Sequence, residues 1–280
     1  MITKFEQSTA FASGRPITSG QSITTEQIAK SAYSSTPPQP SALTPVVEVK
    51  DLTRNYGKRR GVESLSFELT AGEIVGLLGP NGCGKTTLIK LIMGLLQPDR
   101  GSVVIRGQKP QVSYNLISYL PENTYLNPAL TMQEAVRIFV DFYRDFDQAK
   151  AWRMLAEFGL EPNQTLKTMS KGMQEKANLA LVMSRDVPLY ILDEPMGGID
   201  PAARETILNG ILTNYNPGST LLLSTHLISD VEMLFDRVIF LDNGRIRLDR
   251  SVEELRAREG KSIDGLFREI YAPERGEYYA

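Results

Sequence analysis

The chain contains a single cysteine among its 280 residues, so no disulfide can form within it. This scarcity fits a reducing compartment such as the cytoplasm. The formal net charge is only −2, which gives no electrostatic basis for binding nucleic acid. The short basic cluster Lys58-Arg59-Arg60 is therefore interpreted as a solvated loop.

Long apolar runs are also absent from the sequence. No run approaches the roughly 18 residues that a membrane-spanning helix requires. The first residues lack the basic start and apolar segment of a secretory signal. Any association with a membrane is therefore expected to come through a partner.

The first part of the chain differs in composition from the rest. Residues 1 to about 45 are rich in Ser, Thr, Gln and Pro and show no sustained apolar periodicity, which predicts a disordered tail. A tether and a mispredicted start of the chain are both open interpretations of it. Residues 46–280 form the predicted folded domain, and the overall apolar content of 41% suits a soluble globular protein.

A glycine-rich segment carries the strongest functional signal: Gly79-Pro80-Asn81-Gly82-Cys83-Gly84-Lys85-Thr86-Thr87. The apolar run 74–78 precedes it and the amphipathic run 88–92 follows, which is the strand–turn–helix context of a phosphate-binding loop. Backbone N–H groups in such a loop point at phosphate oxygens, and the helix N-terminus adds its positive dipole end. We expect Lys85 to reach the β- and γ-phosphates, Thr86 to offer its hydroxyl to Mg²⁺ and Thr87 to support the α-phosphate.

Cys83 lies inside this loop and allows two interpretations. The surrounding N–H donors and the helix N-terminus could lower the pKa of its thiol, so that modification blocks nucleotide binding and bound ATP protects it. The alternative is an inert small residue that fills space.

Two carboxylates and the only histidine follow apolar strands. Asp193 and Glu194 come directly after the run 189–192, and His226 ends the run that begins at Ser219. Carboxyl ends of parallel strands meet at one edge of a sheet, so these groups are expected to face the phosphate loop. Asp193 suits Mg²⁺ through water, and Glu194 can orient and deprotonate an attacking water. His226 is expected to contact the γ-phosphate.

The remaining pattern indicates alternating strands and helices. Runs 46–49, 62–69 and 102–106 predict further strands, and 238–248 predicts a hairpin that turns at Asn243-Gly244. Helix starts are indicated by Thr131, Asp147, Ser170, Asp200-Pro201 and Ser251, of which Thr131 and Ser251 open capping boxes. A last helix is predicted over 263–271. Helices cluster in an insertion over about 123–186.

The order of these motifs resembles the nucleotide-binding subunit of an ATP-binding cassette (ABC) transporter, over about residues 46–271. Tyr56 matches the aromatic residue that stacks on adenine in that family. Met169-Ser170-Lys171-Gly172-Met173 corresponds to the helical signature that usually reads Leu-Ser-Gly-Gly-Gln, and Gly197 to Asp200 matches the aspartate-bearing turn. The block 169–204 is most similar to the ATPases of bacterial ABC-2-type exporters.

The resemblance implies an α/β fold: a P-loop NTPase core of the ABC ATPase type, with an N-terminal antiparallel β element and an inserted helical subdomain. It also implies ATP and Mg²⁺ as cofactors and two copies closed head to tail. The signature of one copy, with Ser170 and Gly172, would then cap ATP held by the other, and Asp200 of the aspartate-bearing turn is also expected to bind the nucleotide. Ser170 is also a good helix N-cap, and a cap alone is the alternative for that residue.

Three positions depart from the family pattern. Lys171 and Met173 replace glycine and glutamine, so the contact with the second copy can differ. Glu122 stands where the family usually has a metal-linked glutamine. It is interpreted equally well as a metal-linked residue or as a loop acid.

The function implied is an ATPase subunit that powers a separate integral-membrane permease for export and sits peripherally on the cytoplasmic face of the cell membrane. Coupling would run through exposed residues near 123–143. Whether the second ATPase is identical stays open, and no nucleic acid is expected. The alternatives are a soluble ABC-type ATPase that acts on ribosomes or DNA, and a module that no longer hydrolyses ATP.

Overall fold

The computed structural model describes residues 45–57 and 59–272. The tail predicted over 1–45 lies outside the described residues, apart from Pro45. In this part of the chain the strands are β1 (Val47–Tyr56), β2 (Arg59–Leu69), β3 (Ile74–Leu78), β4 (Arg100–Ile105), β5 (Ile117–Leu120), β6 (Leu189–Asp193), β7 (Thr220–Thr225), β8 (Arg237–Asp242) and β9 (Arg245–Ser251). The α-helices are α1 (Lys85–Ile92), α2 (Met132–Phe142), α3 (Gln148–Glu157), α4 (Lys171–Met183), α5 (Pro201–Asn214), α6 (Ile228–Val231), α7 (Val252–Glu259) and α8 (Ile263–Tyr271).

The strands form two sheets. The smaller sheet is antiparallel and has the order β2-β1-β4. The larger sheet has the order β5-β6-β7-β3-β8-β9 and is parallel except for the β8–β9 hairpin. This arrangement confirms the predicted α/β core with an N-terminal antiparallel element.

The larger sheet is covered on both faces, as the continuous apolar runs predicted. Every residue of β3, β6 and β7 is buried. Ile74 and Leu78 of β3 join a core built with helices α2 to α5. Val75 and Leu77 point the other way, into a core shared with α1 and the smaller sheet. Because neighbouring residues of a strand face opposite sides, one strand serves both cores.

The helix starts show which predicted caps form. The Thr131–Glu134 capping box is complete, and Asp147, Ser170 and Asp200 each accept a backbone N–H at the start of a helix. The second capping box is formed only in part among the described contacts: the Ser251 hydroxyl accepts the Glu254 N–H at 3.2 Å. Helices α2 to α4 all lie between β5 and β6. Among the described residues no helix is both long enough and apolar enough to cross a bilayer.

Strand β2 of the smaller sheet begins three residues earlier than the apolar alternation predicted. β2 begins at Arg59 instead of Val62 because Tyr56 pairs with Arg59 and Asn55 pairs with Arg60. Arg54 then pairs with Val62, so the pairing skips Gly61. Gly61 is therefore the extra residue of a β-bulge.

Candidate nucleotide site

A cavity of about 600 Å³ opens beside the carboxyl ends of β3, β6 and β7. Most of the residues that line it were predicted as site residues from the sequence. They are Tyr56, Asn81, Gly82, Gly84, Lys85, Thr86, Thr87, Glu122, Glu194 and His226, joined by Gly61 and Gly197. The strands thus bring residues that are distant in sequence to one place, as the topology of a parallel sheet requires.

The glycine-rich loop has a backbone that only glycine accommodates at Gly84. Its φ is +116°, and a β-carbon there would lie 2.4 Å from the carbonyl oxygen of Gly61. The loop therefore passes directly against the bulge of β2 before α1 begins at Lys85. This close approach leaves the start of α1 facing the cavity.

Lys85 is the cation of the cavity wall. Its side chain is largely buried, and Nζ donates a hydrogen bond of 2.7 Å to the carbonyl oxygen of Gly79. A longer contact of 3.5 Å joins Nζ to the Pro80 carbonyl oxygen. Nζ also lies 3.7 Å from Oε1 of Glu194, so the phosphate loop and β6 are linked by opposite charges.

Glu194 and His226 form a hydrogen-bonded pair at the same edge. Oε2 of Glu194 lies 2.8 Å from Nδ1 of His226 and 3.3 Å from the His226 backbone nitrogen. The Glu194 N–H donates to the Ser224 carbonyl oxygen at 3.0 Å. Glu194 has a φ of +51°, a left-handed conformation that is unusual for this residue type. Such a conformation costs free energy and persists only where the surrounding structure holds it in place. Residues of this kind cluster at functional sites.

Asp193 is buried beneath this pair. The Ser224 hydroxyl donates to its Oδ1. Its Oδ2 is buried and has no hydrogen-bond partner in the described part of the chain. Burial raises the pKa of Asp193, and the negative charges of Glu194 and Glu122 raise it further, against the Ser224 bond and Lys85. An unsatisfied, buried carboxylate oxygen at this edge fits a cation as its missing partner.

The hypothesis of a low thiol pKa at Cys83 is wrong. The side chain is 4% exposed, belongs to the core between α1 and the smaller sheet, and does not line the cavity. Burial raises the pKa of the Cys83 thiol above its ordinary value, although Lys85 acts in the opposite direction. The thiol is therefore an apolar filler, and only the Cys83 backbone belongs to the loop.

A thiol reagent should report this burial directly. We expect N-ethylmaleimide to modify Cys83 at least about tenfold more slowly in the folded protein than in urea, because the thiol is buried and largely protonated. Since the chain has one cysteine, mass spectrometry of the intact protein measures the reaction without ambiguity. Rapid labelling of the folded protein that ATP prevents would restore the original hypothesis.

The predicted residues of the signature helix and the aspartate turn lie elsewhere. Ser170 caps α4 by accepting the Met173 N–H at 3.3 Å, and Asp200 caps α5 by accepting the Ala203 N–H at 3.0 Å. A β-carbon on Gly172 would lie 3.4 Å from Ala203, so the two helix starts are neighbours. Ser170, Gly172 and Asp200 do not line the cavity of their own chain.

Gly197 was assigned only to the aspartate-bearing turn, and sequence reasoning missed two further residues of the site entirely. Gly61 lines the cavity, and a β-carbon on it would come within 3.0 Å of both Tyr56 and Thr87. Ser224 holds Asp193 from the neighbouring strand. The sequence offered no signal for Gly61, because the predicted strand began at Val62 and left this glycine outside it; once β2 is extended to Arg59, a glycine inside the strand marks a bulge or a close approach.

Comparison with known proteins identifies the family. Residues 62–197 match the family described as ABC transporter. The SkfA peptide export ATP-binding protein SkfE of Bacillus subtilis (strain 168) is 35% identical over 218 residues, which are 75% of this chain and 90% of that protein. The ABC-type transporter ATP-binding protein EcsA of the same strain is 32% identical over 245 residues, 82% of this chain and 98% of that protein. A solved structure described as the ATP binding subunit of an ABC transporter is 33% identical, with a TM-score of 0.72, and covers 80% of this chain and 99% of its own.

The chain belongs to the ABC transporter ATP-binding proteins. It is the ATP-binding subunit of such a transporter, and the proteins of this family are ATPases. The alternative of an ATPase acting on ribosomes or DNA finds no support among these relatives.

Proposed function

We propose that this subunit hydrolyses Mg²⁺-bound ATP in the cavity and thereby drives export through a separate membrane permease. One observation carries the proposal: the Lys85–Glu194–His226 chain of contacts places a cation, a carboxylate and an imidazole on one cavity wall. A phosphate loop with a positioned base and a γ-phosphate contact is what hydrolysis of a triphosphate requires. Export is supported by the relative SkfE, which is named as a peptide export ATP-binding protein.

Mg²⁺ fits the residues present at this edge. Among the described residues no cluster of three or more His, Cys, Asp or Glu side chains could hold a metal by itself. Mg²⁺ usually takes one or two carboxylates together with substrate phosphates and waters, so such a cluster is not needed. The unpartnered Oδ2 of Asp193 and the Thr86 hydroxyl would hold the ion, with Glu122 as the further carboxylate on the cavity wall. When bound, Mg²⁺ neutralises charge that develops on the phosphates.

Glu194 is the residue proposed to prepare the attacking water. Its side chain is held from two sides, by Lys85 and by His226, which restricts the direction in which a carboxylate oxygen points. A carboxylate fixed in this way can accept a hydrogen bond from water and take its proton as attack proceeds. His226 is half-exposed on the cavity wall, and its ring can face the γ-phosphate while Nδ1 contacts Glu194.

The signature residues are proposed to act on a second copy, identical or not. The Ser170 hydroxyl and the first turn of α4 lie outside the cavity of their own chain. A helix N-terminus with free N–H groups suits a phosphate. Two chains related head to tail would bring Ser170, Gly172 and Asp200 of one chain to the ATP of the other. ATP would then be enclosed between two surfaces and would control dimer formation.

A groove beside the inserted helices is proposed to receive the permease. Its volume is about 160 Å³, and Tyr114, Tyr125 and Tyr143 line it together with Arg185. Arg185 is buried, bonds Asp145 at 2.8 Å and stacks 3.9 Å from the centre of the Tyr143 ring. These contacts hold Arg185 in the wall of the groove, while Tyr114 and Tyr125 remain more than half exposed.

Among the described residues, Phe142 of helix α2 is the most exposed large apolar side chain, at 77%. Ile138, one turn earlier on the same face of the helix, is 36% exposed. Contiguous exposed apolar surface commonly marks a protein–protein contact. Through this contact the subunit would be held on the cytoplasmic face of the membrane, although it would not enter the bilayer.

Replacing Phe142 should detach the subunit without stopping its chemistry. We expect Phe142→Ser to weaken co-purification with the permease from membranes in mild detergent by at least about tenfold, since burial of a phenylalanine is worth about 1.5–3 kcal/mol. ATP binding should be unchanged because Phe142 does not line the cavity. Gln133→Ser, an exposed change on the same helix, is the matched control.

The identity of the captured protein decides the result. A polytopic membrane protein that is retained by wild type and by Gln133→Ser, and lost with Phe142→Ser, supports the docking surface. Recovery of ribosomes in its place contradicts the proposed function. If the permease is recovered equally with all three proteins, the contact with the permease does not lie on α2.

A further inference from the structure

Arg54 contacts the aromatic ring that is proposed to hold the nucleobase. Tyr56 is the last residue of β1, and Arg54 precedes it by two positions, which places both side chains on one face of the strand. The guanidinium carbon of Arg54 lies over the Tyr56 ring, 5.5 Å from its centre. A cation at this distance is attracted to the ring face. One face of Tyr56 is thus occupied from within the chain, while the residue as a whole is 44% exposed and lines the cavity.

Asp99 locks this arrangement with both of its oxygens. Oδ1 accepts a hydrogen bond of 2.8 Å from Nη1 of Arg54, and Oδ2 accepts one of 2.8 Å from the backbone N–H of Asn55. The Asp99 N–H in turn donates to the Thr53 carbonyl oxygen at 2.8 Å. The Asp99 carboxylate therefore holds both the Arg54 guanidinium and the backbone at Asn55, the residue between Arg54 and Tyr56.

The hydrogen bond to Asp99 does not by itself explain the position of the guanidinium. Within the described residues, Nε of Arg54 is buried and has no hydrogen-bond partner. A buried donor without a partner is unfavourable, and an arginine free to move would expose it to water. The ring contact and the Asp99 bond together account for the position that is observed.

Gly61 keeps the edge of the ring clear. A β-carbon at this bulge would lie 2.7 Å from the Arg54 carbonyl oxygen, 3.0 Å from Cε2 of Tyr56 and 3.0 Å from Cγ2 of Thr87. Any larger residue would therefore push the ring or the phosphate loop. The bulge fixes the spacing between the aromatic ring and the start of α1.

We infer that Arg54 and Asp99 are positioning residues for the purine base: Asp99 fixes Arg54, and Arg54 fixes the Tyr56 ring so that its free face receives the base. The inference rests on the proposed role of Tyr56. Arg54 acts through the ring and does not touch the phosphates. Its contribution should consequently be seen with nucleotides and not with the corresponding phosphate that lacks a base.

The experiment compares ADP with inorganic pyrophosphate, because neither is hydrolysed by the proposed reaction during the measurement. Dissociation constants are measured by titration calorimetry and by competition, on the full chain with Mg²⁺. We expect Arg54→Ala to weaken ADP about three- to fivefold, within the range for a partly exposed cation–ring contact, and to leave pyrophosphate unchanged. Asp99→Asn should give a smaller loss in the same direction, and Arg54→Lys should restore part of the affinity.

Three further variants show which part of the inference fails if the expected result is not obtained: Lys50→Ala, Tyr56→Ala, and Tyr56→Ala combined with Arg54→Ala. Lys50→Ala removes a positive charge from the same strand without touching Tyr56, so it should bind both ligands as wild type does. Tyr56→Ala should weaken ADP by itself, and adding Arg54→Ala to it should cause no further loss. If Tyr56→Ala weakens ADP binding and Arg54→Ala does not, the inference is overturned, and Tyr56 alone remains as the residue that stacks on the base. Equal loss of ADP and pyrophosphate in Arg54→Ala also overturns it, and no effect of Tyr56→Ala removes the proposed role of that ring.

Discussion

Glu194→Gln should lower ATP turnover by about 10²–10⁴-fold, the usual contribution of a general base, while ATP stays bound. Glutamine keeps the size of the side chain and can still contact His226, but it cannot take a proton from water. It also removes the negative charge 3.7 Å from the Lys85 ammonium, which leaves Lys85 free to pair with phosphate. ATP should therefore accumulate on the variant and stabilise the closed dimer.

Phosphate release measures the turnover, and size-exclusion chromatography with and without ATP measures the dimer. Glu122→Gln is the matched control, because it neutralises another carboxylate on the same cavity wall. Its loss of turnover should be smaller than that of Glu194→Gln, since Glu122 is not part of the Lys85–His226 contact chain. Unchanged hydrolysis in Glu194→Gln would refute its assignment as the base, and equal losses in both variants would refute a special role for Glu194.

Glu175→Gln should stabilise the protein at pH 8 by up to about 3 kcal/mol and have little effect near pH 4. Glu175 lies on α4 and is buried, and burial raises its pKa from 4.5 to about 7, against a weaker opposite effect of Lys171. A carboxyl group with a higher pKa in the folded chain binds more protons when folded. The free energy of unfolding therefore falls as the pH rises from about 4.5 to about 7. Each pKa unit is worth about 1.4 kcal/mol, which gives the size of the effect.

Urea unfolding at a series of pH values tests this expectation. Glutamine resembles the protonated carboxyl group, so the curves of wild type and Glu175→Gln should coincide at low pH and separate above about pH 5. Glu157→Gln changes an exposed acid on α3 and should follow wild type throughout. A gap between the two curves that does not vary with pH would show that packing, and not ionisation, separates them.

Features that depend on local sequence were predictable. The phosphate loop, the caps at Thr131, Asp147 and Ser170, and the two carboxylates at the end of β6 each follow from a short pattern that nearly dictates its backbone. The edge of a parallel sheet then determines that Glu194 and His226 meet Lys85. The roles of these residues in catalysis stay predictions, since geometry alone does not measure a rate.

Features that depend on packing were not predictable. The composition of the loop around Cys83 does not reveal that its side chain points into the core, so an argument from nearby N–H groups gave the wrong direction for its pKa. The bulge at Gly61 arises only when β1 and β2 pair. Helix α4 is buried on most sides, and for that reason no amphipathic pattern indicated that Glu175 would lie inside.

The strand order has a consequence for how the molecule is made. β3 leads directly into the phosphate loop and leaves the ribosome early, but it pairs with β7 and β8, which are synthesised far later. Contacts between such distant segments form slowly because the intervening chain must first be ordered. The nascent chain therefore lacks a complete nucleotide cavity until the later strands have been synthesised. For this reason ATP cannot guide its early folding. Cellular ATP instead protects finished molecules, since a ligand that binds only the native state shifts the unfolding equilibrium toward it.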